Sequence, residues 1–266
     1  MTAMRPVVLC LSGHDPCGGA GIQADIEVLV SHHCHAASVI TALTEQDTFN
    51  VKKIIPQSVA DFTAQVQTVL KDLSVKVIKI GLIGDYSLAV AIYEVLKANP
   101  TIPVVLDPIL AAGGGTLLAN QPLRQAIAEL LVPCAHIITP NSLEARQLTQ
   151  LQDLHACGNA LLEAGCKQVL ITGAHEQTDV VCNQLFQKDQ PVQTFSWERL
   201  PGHYHGSGCT LASSIAALLA HGLDTFVAVN EAQEYTWNAL QAAYQTGQGQ
   251  LNPHRFFWIE DENAII

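Results

Sequence analysis

The sequence contains few basic residues. Across its 266 positions, 13 Lys and Arg stand against 24 Asp and Glu, and the net charge at pH 7 is −11. Nucleic acids and anionic membranes attract positively charged surfaces, so we expect neither as a partner. If the substrate is a polyphosphate, its charge must be met locally by backbone amides and a metal ion.

Long apolar runs and paired cysteine motifs are also missing. No stretch reaches the roughly 18 uninterrupted apolar residues that indicate a membrane span, and the residues up to Pro6 lack a signal-type apolar segment. The eight cysteines are scattered without a C-x-x-C pair, which in a chain of this length favours reduced thiols. We therefore expect a soluble, cytoplasmic protein.

Apolar residues, in contrast, are abundant and regularly arranged. Hydrophobic residues make up 48% of the chain and charged residues 14%, which is enough for a large buried core. Short β-branched runs alternate with longer periodic segments, and this alternation predicts an α/β fold with a mostly parallel sheet and helices on both faces. No linker-like segment interrupts the pattern, so we expect one domain over residues 1–266.

The individual elements follow from the same periodicity. Strands are predicted at 7–12, 37–43, 76–80, 103–106, 136–139 and 168–172, with a hairpin from 180–186 and 191–196. Helices are predicted after the first glycine-rich turn as far as residue 32, and at 58–73, 87–98, 122–131, 142–164, 208–221 and 224–244. In a parallel sheet of this kind, ligands bind beyond the carboxyl ends of the strands.

A glycine-rich segment, Ser12 to Gly21, joins the first strand to the first helix. Glycines there allow a ligand to approach the backbone at a helix N-terminus. Residues 19–24 also fit the pattern G-x-G-x-x-A of dinucleotide-binding proteins, although the loop is longer than the tight turn of that motif. The segment is therefore either a ligand loop or an ordinary turn.

Candidate functional residues follow three of the predicted strands. Asp107 ends one strand, and its carboxylate could hold Mg²⁺ or its water, or could simply start a turn before Pro108. Asn141 and Glu144 follow the next strand, where they could share a magnesium hydration shell or form a helix-capping box. Gly173 and His175 follow a third strand, where they could border a nucleotide or form a plain turn.

The segment from His205 to Thr210 precedes an apolar helix. The amides of Gly206, Ser207 and Gly208 would point to whatever lies above that helix, and they could stabilise charge on a transferred phosphoryl group. Cys209 lies in the first turn, where the helix field is expected to lower the thiol pKa and allow the sulfur to accept a proton. The alternative is a capped helix with a small buried cysteine.

Together these motifs resemble those of one family. The segments S-G-x-D-P-x-G-G-A-G-I-Q-A-D, V-I-T-A-L-T-x-Q, K-I-G, D-P, T-P-N-x-x-E-A and H-G-S-G-C-T are similar, in this order, to those of hydroxymethylpyrimidine/phosphomethylpyrimidine kinases. The resemblance covers residues 7–245. It implies a ribokinase-like three-layer α/β/α fold, ATP as co-substrate, Mg²⁺, and a homodimer that phosphorylates the pyrimidine alcohol and then its monophosphate in thiamine biosynthesis.

The resemblance also assigns roles to positions in this chain. Residues expected to contact the pyrimidine are Gly13, Asp25, Gln46, Leu82 and Ile109. Residues expected at the catalytic centre are Cys209 and the anion-hole residues Gly206, Ser207 and Gly208. Residues expected near the nucleotide are Asp107, Asn141, Thr172, Gly173 and His175, and the set expected to hold magnesium through water is Asp107, Asn141 and Glu144.

Three positions depart from the family pattern. Gly113 and Thr172 stand where the family carries lysines, and His14 stands where it usually has serine. The missing lysines should weaken nucleotide binding unless other groups compensate.

Three alternatives therefore stay open. The chain could be a pyridoxal or pyridoxine kinase of the same superfamily, an NAD-dependent oxidoreductase that uses the first loop, or a ligand-binding relative without catalysis.

Overall fold

The computed structural model describes residues 5–259, in which nine strands form one sheet. The strands are β1 (Val7–His14), β2 (His35–Gln46), β3 (Val51–Pro56), β4 (Val75–Ile80), β5 (Val104–Leu106), β6 (Ile137–Ile138), β7 (Gln168–Ile171), β8 (Val180–Gln187) and β9 (Gln193–Glu198). The helices are α1 (Gly21–Ser31), α2 (Val59–Asp72), α3 (Tyr86–Ala98), α4 (Gln121–Ala126), α5 (Ser142–Thr149), α6 (Leu154–Glu163), α7 (Ser207–Ala220) and α8 (Thr225–Gln241).

The sheet is parallel in its centre and antiparallel at both ends. Its strand order is β3-β2-β1-β4-β5-β6-β7-β8-β9. The strands from β2 to β7 in this order pair in parallel, whereas β3, β8 and β9 pair antiparallel to their neighbours. This arrangement confirms the predicted α/β class with a mostly parallel sheet.

Alternate residues of the central strands enter two separate cores. Leu9 and Leu11 of β1 pack in a cluster with residues of α2, α3, α4 and α6, while Val8 and Cys10 pack in a cluster with residues of α1, α7 and α8. Because successive side chains of a strand point to opposite faces, a strand that is buried on both faces is apolar throughout. The result is the three-layer arrangement that the resemblance implied.

The structure departs from the predicted elements in three places. Strand β3 was not predicted, because Lys52 and Lys53 interrupt its apolar residues. The single helix predicted over 142–164 is wrong: Gln150 adopts a left-handed conformation (φ 60°) that ends α5, and the Asp153 side chain accepts a hydrogen bond from Ala156 N to start α6. The helix predicted over 122–131 continues from α4 into a π-helical turn at Ile127–Leu131. The predicted hairpin is confirmed as β8 and β9.

Two further observations concern the expected environment. Between residues 5 and 259, no helix is long and apolar enough to cross a membrane. All eight cysteines are free thiols.

The topology brings distant loops to one edge. Since β1, β2, β4, β5, β6 and β7 run in the same direction, the residues that follow them lie along a common edge of the sheet. Most residues singled out from the sequence follow these strands, and the loop before α7 approaches the same edge.

Candidate active site

The first glycine loop is held in one conformation by Asp15. Its carboxylate accepts hydrogen bonds from the amides of Cys17 (2.8 Å), Gly19 (3.0 Å) and Ala20 (2.8 Å), and its Oδ2 lies 2.8 Å from His205 Nε2. Burial alone would raise the pKa of Asp15, but the His205 contact and the amides outweigh it and lower that pKa. The first loop is therefore joined directly to the loop before α7.

Asp25 lies beneath this edge rather than on it. The residue is fully buried, and its carboxylate accepts hydrogen bonds from Ser12 Oγ (2.6 Å), Ser213 Oγ (2.6 Å) and Lys79 Nζ (2.8 Å). Burial favours a neutral Lys79, but the Asp25 carboxylate outweighs it and raises the pKa of the ammonium. Both oxygens of Asp25 are occupied within the protein, so its predicted contact with a pyrimidine stays a prediction.

The N-terminus of α7 differs from those of most other helices. The helices α2, α3, α4, α5, α6 and α8 each have a side-chain cap, from Ser58, Asp85, Asn120, Asn141, Asp153 and Asp224 respectively. Within the described chain α7 has no side-chain cap, because its N-cap residue is Gly206. The φ of 77° at this position suits glycine. Its first amides, from Ser207 onward, are therefore free of a side-chain acceptor, as an anion site requires.

Asp107 lies directly in front of this helix. A Cβ placed on Gly208 would be 3.8 Å from Asp107 Oδ1, and Asp107 is only 4% exposed. Its Oδ2 is buried and has no hydrogen-bond partner in the part of the chain that the structure describes. Burial raises the pKa of Asp107 to about 6 and the Asp25 charge adds to the rise, although Lys79 and the Cys209 thiol, which hydrogen-bonds to the carboxylate, oppose the shift. An unpartnered buried carboxylate oxygen fits a hard cation or its bound water.

Cys209 lies close enough to Lys79, Asp107 and Asp25 for their charges to affect its thiol, but the pKa of that thiol is not lowered. Burial raises the pKa of Cys209 to about 12, Asp107 and Asp25 add to the rise, and Lys79 and the Gly21 amide oppose it. The expectation of a lowered thiol pKa is therefore wrong for the protein without ligands, because desolvation and two carboxylates outweigh the helix field.

Asn141 and Glu144 form a complete capping box. Asn141 Oδ1 accepts from the amides of Leu143 (3.0 Å) and Glu144 (2.9 Å), and Glu144 Oε2 accepts from Asn141 N (2.9 Å). Glu144 Oε1 also accepts from Leu110 N (3.2 Å), and burial, followed by the Asp107 charge, raises the pKa of Glu144 to about 8. The pair lies near Asp107 with its carboxylate oxygens already engaged, and its role toward magnesium stays a prediction.

The residues predicted to border the nucleotide follow β7. Thr172 bridges to Asn141 and accepts a hydrogen bond from Ser142 N (3.0 Å), so the loop is fixed to the start of α5. The Gly173 amide donates to Asn183 Oδ1 (3.0 Å), and His175 is exposed. These residues share the edge with Asp107, and nothing more specific places a nucleotide on them.

Three of the residues predicted to hold the acceptor ring, Gly13, Leu82 and Ile109, lie together. Leu82 and Ile109 belong to one small apolar cluster with Val51 and Leu118. A Cβ on Gly13 would come within 2.8 Å of Leu82 Cδ2, so a glycine is needed beside that leucine.

Gln46 ends β2 near the same cluster. Its side-chain amide donates to Thr44 Oγ1 (2.7 Å), and Thr44 in turn donates to His14 O (2.9 Å). An apolar patch next to a side-chain amide suits a flat ring with a polar edge.

The positions of the missing lysines are filled differently. Gly113 lies against Gln250, since an added Cβ would be 2.9 Å from Gln250 Nε2. One buried cation that lies under the site is Lys79, to which the sequence motifs assigned no role. Lys79 lies within the apolar strand VKVIKI, and because a buried lysine is almost always paired with an acidic group, this position could have indicated an ion pair.

Of two cavities in the described residues, one lies away from this site and the other touches the acceptor cluster at Leu118. One cavity of about 450 Å³ opens at the opposite edge of the sheet, lined by residues that include Pro103, His136 and Thr225. None of the residues predicted for the site lines it, so chemistry rather than cavity volume locates the candidate active site.

Comparisons with known proteins identify the family and the fold of the chain. A family model described as phosphomethylpyrimidine kinase matches residues 15–254. A hydroxymethylpyrimidine/phosphomethylpyrimidine kinase of Streptomyces coelicolor is 35% identical over 264 residues, covering 97% of this chain and 96% of that protein. Another, from Rhizobium meliloti, is 33% identical and covers 97% of this chain and 100% of that protein.

Solved structures give the same fold. A phosphomethylpyrimidine kinase from Clostridium difficile 630 superposes with a TM-score of 0.79 at 29% identity, covering 89% of this chain and 100% of that one. An ADP complex of Bacillus subtilis pyridoxal kinase superposes with a TM-score of 0.88 at 25% identity, covering 95% of this chain and 98% of that one.

The NAD-dependent oxidoreductase interpretation gains no support from these matches, which are to kinases throughout. Residues 19 and 20 of the short fingerprint lie in a loop that Asp15 holds, and residues 21–24 form the first turn of α1. The family match extends over most of the chain, and the residues that suggested a kinase lie along one edge of the sheet: the chain belongs to the phosphomethylpyrimidine kinase family.

Proposed function

We propose that this protein transfers the γ-phosphoryl group of ATP to 4-amino-5-hydroxymethyl-2-methylpyrimidine, and then to the resulting monophosphate, in thiamine biosynthesis. The observation that carries the proposal is the pairing of the unpartnered Asp107 oxygen with the uncapped N-terminus of α7. Burying an unpaired carboxylate costs free energy, and so does leaving helix amides without acceptors. A metal-bound nucleotide would satisfy both groups at once, because its cation would meet the carboxylate and its phosphates would meet the amides.

The acceptor would lie on the apolar cluster. We assign the ring to Leu82 and Ile109, with Gly13 allowing close approach and Gln46 meeting the polar edge of the pyrimidine. Asp25 would act from below by holding Lys79, and would contact the ring only if its present hydrogen bonds were exchanged.

The phosphates would lie over α7. The amides of Gly206, Ser207, Gly208 and Cys209 would bind the transferred group, and Thr172, Gly173 and His175 would border the nucleotide. Asp107 would hold Mg²⁺ directly or through water, with Asn141 and Glu144 engaged through water. When bound, magnesium would neutralise charge on the phosphate oxygens. The amides at the N-terminus of α7, together with magnesium, would have to supply the positive field that family members gain from lysines where this chain has Gly113 and Thr172.

Cys209 would accept the proton of the acceptor hydroxyl as a thiolate, after its own thiol proton has left to solvent, and the hydroxyl oxygen would bond to the γ-phosphorus as the bond to ADP breaks. The thiolate is disfavoured while Asp107 carries an unneutralised charge, so the nucleotide should bind before the thiol loses its proton. Replacing Cys209 with alanine should lower kcat by roughly 10²-fold or more, with a much smaller change in KM. Turnover equal to wild type would remove Cys209 from the mechanism.

Other aspects of the proposal rest on the family resemblance and on composition. We propose a cytoplasmic homodimer, with a single domain carrying the whole site and with neither nucleic acid nor a membrane as a partner. The excess of acidic residues, which gives a net charge of −11, supports the last point.

The test is ADP release with the pyrimidine alcohol, with its monophosphate and with pyridoxal, each at matched concentration. We expect turnover with both pyrimidines, and none above background with ATP alone. Faster turnover with pyridoxal would favour a pyridoxal kinase, for which the structural likeness to the Bacillus subtilis enzyme is the supporting observation. Failure with all three acceptors would leave a ligand-binding protein without catalysis.

A further inference from the structure

We infer that Arg255 is a positioning residue that fixes the first glycine loop against the first turn of α7, an inference that rests on the proposed phosphoryl transfer at α7. The residue lies in the C-terminal segment, 2% exposed and far along the chain from both elements. Neither the sequence motifs nor the family match, which ends at His254, assigns it a role.

The guanidinium group connects three parts of the chain. Nε donates to Thr210 Oγ1 at 3.0 Å, Nη1 donates to Glu27 Oε2 at 2.8 Å, and Nη2 donates to Gly19 O at 2.5 Å. Thr210 in turn donates to Gly206 O at 2.8 Å. One side chain therefore joins the first loop and α1 to the residue that begins α7.

Both sides of the Gly19 backbone are held by charged groups. Its amide donates to the Asp15 carboxylate, and its carbonyl accepts from Arg255, so the peptide groups on either side of Gly19 have fixed orientations. Gly206 packs directly against this carbonyl and against Ala20. A movement of Gly19 would therefore displace Gly206 and the amides that follow it. In an active site, a displacement of about 1 Å can cost roughly 10²-fold in rate.

The geometry requires arginine in particular. A planar guanidinium offers five donors in a rigid fork, whereas a lysine ammonium is a flexible point charge that cannot reach the same three acceptors together. Glu27 balances the charge, and since its side chain is 39% exposed, that contact contributes less than the two buried ones.

The backbone around Arg255 is anchored independently of its side chain. Tyr235 Oη donates to Arg255 O at 2.7 Å, and the rings of Phe257 and Trp258 lie 5.7 Å and 6.0 Å from that of Tyr235. A change confined to the guanidinium should therefore leave the C-terminal segment docked, which separates positioning from general stability.

The experiment compares Arg255→Ala, Arg255→Lys and the surface control Lys97→Ala, whose only ion-pair contact within residues 5–259 is Glu94 on the outer side of α3. We expect Arg255→Ala to lower kcat about 10²-fold with little change in KM for the pyrimidine alcohol. Arg255→Lys should recover only part of the loss, and added guanidinium should raise the activity of Arg255→Ala but not that of a Cys209→Ala variant. Wild-type kcat in Arg255→Ala, or full recovery in Arg255→Lys, would overturn the inference.

A second readout does not depend on kinase activity. Amide hydrogen exchange in segments 17–21 and 206–210 should become faster in both Arg255 variants and stay unchanged in Lys97→Ala. Unchanged exchange in both segments would overturn the inference even if activity fell. If wild type itself released no ADP, the proposed function would fail, while faster exchange would still show that Arg255 holds the loops. If Arg255→Ala did not fold, Arg255→Lys would carry the same comparison.

Discussion

Two buried carboxylates, Asp25 and Asp107, lie under the same edge of the sheet in very different surroundings. Asp25 accepts hydrogen bonds from two serines and from Lys79, and both of its oxygens are engaged. Asp107 has an oxygen without a partner among residues 5–259, and burial raises its pKa to about 6. Asp25 finds all of its hydrogen-bond partners within the protein, whereas one oxygen of Asp107 is available to a ligand.

Breaking the Asp25 pair should have the largest effect. Lys79→Met leaves the Asp25 charge buried without a counterion, and Asp25→Leu does the same to Lys79. Each single change should lower the free energy of unfolding by about 3–5 kcal/mol. The double variant should lose much less than the sum, because no unpaired charge remains. Denaturant unfolding of the four proteins measures this, and additive losses would contradict the pairing.

Changing the unpaired carboxylate should have the opposite effect on stability. Asp107→Asn removes a desolvated charge whose pKa is shifted upward, so the ligand-free protein should gain on the order of 2–3 kcal/mol. The same change should lower kcat/KM by at least about 10–100-fold, because the oxygen meant for the metal-bound nucleotide is altered. Thermal unfolding and ADP release on the same preparation measure both effects. A variant less stable than wild type would show that the Asp107 carboxylate does not destabilise the ligand-free protein.

A smaller effect should appear as a pH dependence of stability. Asp107 and Glu144 have folded-state pKa values of about 6 and about 8, above their ordinary values of 3.8 and 4.5. Between these values the folded state binds more protons than the unfolded state. Their contribution to the free energy of unfolding is complete below about pH 4, and it is lost as the pH rises through about 6 for Asp107 and about 8 for Glu144. Each proton contributes a slope of up to about 1.4 kcal/mol per pH unit.

The Asp107→Asn variant serves as the control for this slope. It should lose the Asp107 part between about pH 4 and 6 and keep the Glu144 part, which should end below pH 8 because the Asp107 charge no longer helps to raise that pKa. Urea unfolding at intervals of half a pH unit resolves the two parts. An unchanged slope in the variant would assign the titration to other groups.

The placement of the site could be predicted from sequence, because parallel strands bring the residues that follow them to one edge. Asp107, Asn141 and Thr172 illustrate this. The break at Gln150 could not be predicted, since the apolar periodicity continues across it. The spacing of Asn141 and Glu144 favoured a cap over a metal shell, and the structure forms that cap without excluding the second role.

Contacts between residues far apart in the chain were the hardest to predict from the sequence. Lys79 meets Asp25 across 54 residues, and Arg255 meets Gly19 across 236. No periodicity or spacing connects such residues, and the chain beyond the last predicted helix offered no pattern to interpret. The raised pKa of Cys209 was missed for a related reason, because the tertiary burial that dominates it and the two carboxylates that add to it come from other elements.

Proton release on nucleotide binding tests the central claim most directly. Calorimetric titration with ADP and excess Mg²⁺ at pH 6, in two buffers of different ionisation enthalpy, counts the protons released by wild type and by Asp107→Asn. If Asp107 ionises to receive the metal-bound nucleotide, wild type should release about half a proton more than the variant. Equal release from the two proteins would mean that the unpaired carboxylate is not where the nucleotide and its metal bind.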